Sequence, residues 1–470
     1  MTSRLLGQAL SVGARSGAWR RAAKRIAESA FVAFALLVTA VDAAANGRYP
    51  GAGLVVFDSG DVNRLAVRTT FGVLVSRDRG ASFEYVCESA LRLGVEEDPM
   101  LAFGASGRLV VATVGGMLTS DDACSYALVE SLAEGAILDL ARSETHPDRF
   151  VALRLTARTG GLSDTSVVRS HDSGATWEVL PPLAEGLLPV TVDIAAPESS
   201  RVYLTARRGA GDDYDSVLLV SDDGGETFAE RAIPNTSGQR LAYIAAVHPR
   251  DAERLALRVN AADETVLYET RDAGTTFDTL HVASGRLTGF AYSPNGERIA
   301  FGGPDEGLFE GASESRAFER RSHVAPTCLG WNDDGLWACA DARSAGFSLG
   351  RSRDGGKTFE RVLAYADLCG TSSCDGESDV GARCADDWQS VAQSLGATCM
   401  ADGGSPGGRT DAGAPQKESK PGRDVGCGIA AGPSNSSRGI VALSVWCTLF
   451  VARRRELASR RTFHRVRLSV

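Results

Sequence analysis

One short pattern recurs along this 470-residue chain and limits what it can fold into more than any other feature. It reads SRDRGASF at 76–83, SHDSGATW at 170–177, SDDGGETF at 221–228, TRDAGTTF at 270–277 and SRDGGKTF at 352–359. Two degenerate copies fill the gaps, SDDACSY at 120–126 and GASESRAF at 311–318. Successive copies start 44, 50, 51, 49, 41 and 41 residues apart. A period of this size marks a repeat architecture, in which each unit buries its apolar face against its neighbours.

Short runs rich in β-branched residues surround each copy. The third unit has AILDLARS, RFVALRLT, TSVVRS and TWEVL, and the fourth has VTVDIAA, RVYLTAR, DSVLLVS and TFAERA. Four strands joined by turns make one propeller blade. The sequence therefore predicts an all-β fold, a seven-bladed β-propeller with four-stranded antiparallel blades over 51–366. A small disulfide-rich extension at 367–400 follows it. The 52 glycines suit a chain with so many turns.

The pattern itself reads as a turn between strands. Its aspartates (Asp78, Asp172, Asp223, Asp272, Asp354) are placed to accept backbone N–H bonds, and the hydroxyls of Ser76, Ser170, Ser221, Thr270 and Ser352 to tie the loop internally. Gly80, Gly174, Gly225, Gly274 and Gly356 occupy a position that suits a backbone angle side chains resist. Phe83, Trp177, Phe228, Phe277 and Phe359 are expected to pack between neighbouring sheets, each burial stabilising by about 2–3 kcal/mol. An EF-hand would need more oxygen ligands and a late glutamate, and a phosphate loop would open a helix. No metal or cofactor is expected. The copies resemble Asp-boxes, or BNR repeats, of sialidases, sortilin-type receptors and photosystem assembly factors. That resemblance covers about two-thirds of the chain and implies a fold, since these families differ in activity.

Charge is unevenly spread. The chain carries -9 overall, but residues 1–30 carry +5 and 453–470 carry +6, which leaves -20 between them. Such a middle excludes nucleic acid as a natural partner and favours cationic ones. At the N-terminus, basic residues precede FVAFALLVTAV and DAAAN, the order of a secretory signal over 1–45. After a polar linker at 401–426 come GCG, the apolar GIVALSVWCTLFVA and RRR. This order resembles the C-terminal surface-sorting signal of myxobacterial exported proteins. The resemblance implies a transmembrane segment within 427–455, a basic cytoplasmic tail at 456–470 and attachment at Cys427. The expected location is the outer membrane or cell surface.

Ten cysteines in an exported chain favour disulfides. Cys87 and Cys124 fall at the outer edges of adjacent blades, which makes a bond between them reasonable. Cys328 and Cys339 flank a hairpin that they can clip. Cys369, Cys374, Cys384 and Cys399 cluster after the last blade; zinc is the rival reading, but the spacing lacks paired C-x2-C knuckles. A helix at 385–397 is expected to pack on the last blade or shield its edge.

For function, the sequence favours an exported, surface-anchored, monomeric propeller that binds a protein or glycan without catalysis. The alternatives are a sialidase-like glycoside hydrolase and a purely structural envelope protein. The hydrolase needs an arginine triad and a tyrosine–glutamate pair, and only Arg48 with Pro50 offers a partial match. The insertions at 156–166 and 205–216, with Asp212, Asp213 and Tyr214, mark a candidate ligand rim.

Overall fold

The computed structural model describes residues 48–397 except 95, 159–162, 197–199, 211–212, 238–239 and 262. The chain divides into two compact units, Met1–Tyr49 and Pro50–Val470. The second unit is a seven-bladed β-propeller. Its blades span 52–87, 100–128, 136–182, 187–232, 241–284, 289–322 and 328–363, each a four-stranded antiparallel sheet of consecutive strands. The first strands of neighbouring blades meet, so they form the inner wall of the ring. The second and third strands are mostly buried between blades. Burial between sheets explains the continuous apolar runs of the middle strands.

The described cysteines form a different set of bonds from the expected one. Cys328 does bond Cys339 across its hairpin, but Cys87 bonds Cys384 and Cys124 bonds Cys374. Cys87 and Cys124 do lie on adjacent blades; the segment after blade seven runs over both and supplies each with a partner. Cys369 is also disulfide-bonded. Cys399 and Cys427 lie outside the described residues.

The C-terminal helix runs Asp379–Leu395, longer at its start than the sequence suggested, with Ser378 as its N-cap. It packs on the outer strand of blade one, not on the last blade, because Cys384 is bonded there and Trp388 stacks near Tyr85 at 5.5 Å. The expectation of a transmembrane helix, and of the membrane as a partner through it, is corrected. Among the described residues no helix is long and apolar enough to cross a membrane. The C-terminal helix itself carries Asp379, Arg383, Asp386 and Asp387, and residues 427–455 lie outside the described set.

Candidate functional site

Each repeated turn joins the third and fourth strands of its blade, far out from the axis. In blade seven, the Ser352 hydroxyl donates to Asp354 Oδ1 at 2.8 Å and accepts the N–H of Gly356 at 2.8 Å. The hydroxyls of Ser76, Ser170, Ser221 and Thr270 hold Asp78, Asp172, Asp223 and Asp272 in the same way. The shorter second copy keeps the tie through Ser120 and Asp122, with Ala123 in place of the glycine. Gly274 shows why that position is restricted: its φ is +85°, and a Cβ would lie 2.6 Å from Leu218 of the preceding blade. Gly80, Gly174, Gly225 and Gly356 likewise abut the preceding blade. Phe83 and Trp177 are buried, whereas Phe228, Phe277 and Phe359 are half-buried at blade boundaries.

Both carboxylate oxygens of each of the five regular aspartates accept hydrogen bonds within their own turn. Their hydrogen bonds hold Asp223 and Asp354 down to about 2, well below the ordinary carboxylate value. Among the described residues no group of acids, histidines and cysteines is arranged to hold a metal.

The sixth copy, GASESRAF, has no aspartate, and an ion network takes its place. Ser313 donates to Gly296 O, while Glu314 pairs with Arg254 and Arg271 of blade five. Arg254 and Glu269 pair at 2.6 Å, both almost fully buried, and Arg271 and Arg316 reach the other oxygen of Glu269 at 3.0 and 3.2 Å. Tyr292 donates to Glu269 at 3.4 Å. This places three arginines around a tyrosine–glutamate pair, the very inventory a sialidase-like reading requires. The geometry serves another purpose. Glu269 is 0% exposed, Tyr292 is buried beside it, and each of the three arginines already pairs with the Glu269 carboxylate. Burial also raises the Tyr292 hydroxyl pKa, the opposite of what activates a nucleophile.

The larger opening lies on the axis. A cavity of about 970 Å³ extends from the turns between first and second strands inward along the inner wall. Its mouth carries ion pairs: Arg64 with Asp58 at 3.5 Å, Arg79 with Asp334 at 3.5 Å, and Arg142 with Glu144 at 3.1 Å. Arg250 and Asp333, also at the mouth, form no ion pair among the described residues. Deeper in lie Asp139 and Asp193, on the first strands of blades three and four.

Asp139 is 8% exposed and accepts the Val192 N–H of the next blade at 2.8 Å. Thr191 repeats that reach one blade on, accepting the Ile244 N–H at 2.9 Å. Burial pushes Asp139 and Asp193 up to about 7, and mutual repulsion adds to the effect on Asp193. Opposite in charge, Arg258 stacks over Tyr243 at 5.3 Å and donates to Leu287 O at 2.8 Å, leaving its buried Nε without a partner. Trp331, half-buried, adds an aromatic face to the wall.

The expected rim takes another form. The two insertions lengthen β-hairpins, pairing Ala157 with Ser163 and Ala210 with Asp213. Tyr214 is buried beneath the Arg207 guanidinium at 4.7 Å, so it is not a rim group; Asp212 lies outside the described residues. Sequence reading passed over Asp139 and Asp193, although a lone acid inside AILDLAR and LLPVTVDI was the available signal.

No family model and no curated protein matches the chain. Several solved structures are similar to it. An ancestral GH74 enzyme shares 15% identity at a TM-score of 0.47, over 66% of this chain and 46% of that one. Saccharomyces cerevisiae Sqt1 shares 11% at 0.43, over 67% and 85%. YCF48 bound to D1 peptide shares 15% at 0.33, over 49% and 67%. The chain thus spans under half the length of the first of these, and at such identities the likeness extends to the fold alone.

Proposed function

We propose that this is an exported, non-catalytic Asp-box propeller that binds a glycan in its axial cavity. The observation that carries this reading is the cavity itself. Its volume is in the range of ligand sites, and its wall combines Trp331 with the polar residues Asp139, Asp193 and Arg258. Every repeated-turn aspartate, by contrast, is committed within its own turn. Acids and arginines are nearly balanced around the mouth, which suits a neutral or weakly charged glycan better than a strongly cationic partner. Export is supported by the three described disulfides and the leader-like 1–45.

The test is to screen the full-length oxidised chain on glycan and peptide arrays, repeat the screen with Ala246→Trp, and assay the bound glycan for cleavage. Ala246 lines the cavity, and a tryptophan there fills part of it. The proposal expects glycan binding that Ala246→Trp abolishes, with the glycan intact. Binding to peptides alone, binding indifferent to Ala246→Trp, or released sugar would each overturn it. Processing at Cys427 is a separate proposal, tested by the mass of the mature C-terminus. A chain ending near Cys427 supports it, and one intact through Val470 refutes it.

A further inference from the structure

At six seams of the ring the chain itself passes from the outer strand of one blade to the inner strand of the next. The seventh seam, between blades seven and one, has no such crossing and no exchanged strand, since both blades are built wholly from their own four strands. Among the described residues it is held by side-chain contacts: Phe57 against Trp337 at 5.4 Å, the Thr327 hydroxyl on Ala52 O at 2.6 Å, Gly330 close against Val55 and Phe57, and the Arg79–Asp334 ion pair at 3.5 Å.

The segment after blade seven bridges this gap from outside. Tyr365 stacks edge-on against Phe71 of blade one at 5.1 Å. The chain then pairs alongside blade one's outer strand, with Tyr85 donating to Gly370 O at 3.1 Å and accepting the Ser372 N–H at 3.2 Å. Cys374 bonds Cys124 in the repeated turn of blade two, where Val380 N–H donates to Cys124 O and Tyr126 N–H to Asp379. The helix turns back, and Cys384 bonds Cys87 on blade one, beside the Ser89–Asp387 hydrogen bond of 2.6 Å. The two covalent links join positions 297 and 250 residues apart, loops that take in nearly the whole ring.

We propose that this segment is the clasp that closes the ring in place of strand exchange, and that Cys87–Cys384 and Cys124–Cys374 are its lock. Reducing them frees the clasp and lets the seventh seam open while the other six stay joined by the chain. Links closing such long loops carry a large share of ring-closure entropy. Phe57, Gly330 and Trp337 belong both to this seam and to the wall of the axial cavity, so the lock also sets the cavity's width. The inference does not depend on any ligand.

Hydrogen exchange on the full chain tests it. The oxidised protein is compared with one in which Cys87→Ser, Cys384→Ser, Cys124→Ser and Cys374→Ser are combined. Exchange in Ala52–Phe57 and Cys328–Asn332 is expected to rise about tenfold or more, with Ala136–Arg142, Leu187–Ile194 and Leu241–Val247 unchanged. If that variant does not fold, the comparison is made on chain already folded with Cys328→Ala and Cys339→Ala. A phosphine is then added: it takes up oxygen from water as its oxide, and each disulfide becomes two thiols. Unchanged exchange at the seam, or an equal rise in all seven blades, overturns the proposal.

Discussion

Asp354 Oδ1 accepts the backbone N–H of Thr358 at 3.0 Å, and its Oδ2 accepts the Thr358 hydroxyl at 2.7 Å. The same two-point grip links Asp78 to Ser82, Asp172 to Thr176, Asp223 to Thr227 and Asp272 to Thr276. Asp354→Ala leaves an N–H and a hydroxyl without their acceptor. It should lower the unfolding free energy by about 1–3 kcal/mol in urea titrations, with Asp354→Asn losing less.

Acid should weaken all these turns together. Asp223 and Asp354 hold folded values of about 2, against an unfolded carboxylate near 3.9, and Asp78, Asp122, Asp172 and Asp272 are also lowered. A depressed folded value contributes stability that is complete above the unfolded pKa and is lost as pH falls toward the folded one. Urea midpoints should therefore fall steeply between about pH 4 and pH 2. Replacing the five regular aspartates with asparagine should flatten that slope.

Asp139 and Asp193 act in the opposite sense. Their folded values near 7 lie above the unfolded one, so their contribution is full at low pH and is lost as pH rises through about 7. The double variant Asp139→Asn, Asp193→Asn should melt at the same temperature as the parent at pH 4 and at a higher one at pH 8.

The ion network of the sixth turn is expected to be costly to break from one side. Glu269→Ala leaves Arg254 without its buried countercharge and should destabilise by about 3–5 kcal/mol. Combining it with Arg254→Met should recover much of that loss, which a double-mutant cycle in urea measures directly.

The turns were legible because the chemistry of each is contained in eight consecutive residues and repeated five times. Where the chemistry is shared between blades, the sequence was silent. Glu314 replaces the missing aspartate only because Arg254, 60 residues away, faces it across a blade boundary. Cys87 and Cys124 could be seen as neighbours, but their true partners come from a segment that returns around the ring. Tyr214 looked like a rim residue because hairpin length can be read locally and the Arg207 lid above it cannot. The axial cavity is further still from local sequence, since all seven blades contribute residues to it.

Separating stability from binding tests the account most directly. Affinity for the glycan selected on the array and the unfolding midpoint would be measured side by side for the parent, Asp354→Ala and Ala246→Trp. The account predicts that Asp354→Ala lowers the midpoint and keeps the affinity, while Ala246→Trp loses at least about tenfold in affinity, or about 1.4 kcal/mol, and keeps the midpoint. Affinity lost with Asp354→Ala and retained with Ala246→Trp would contradict it.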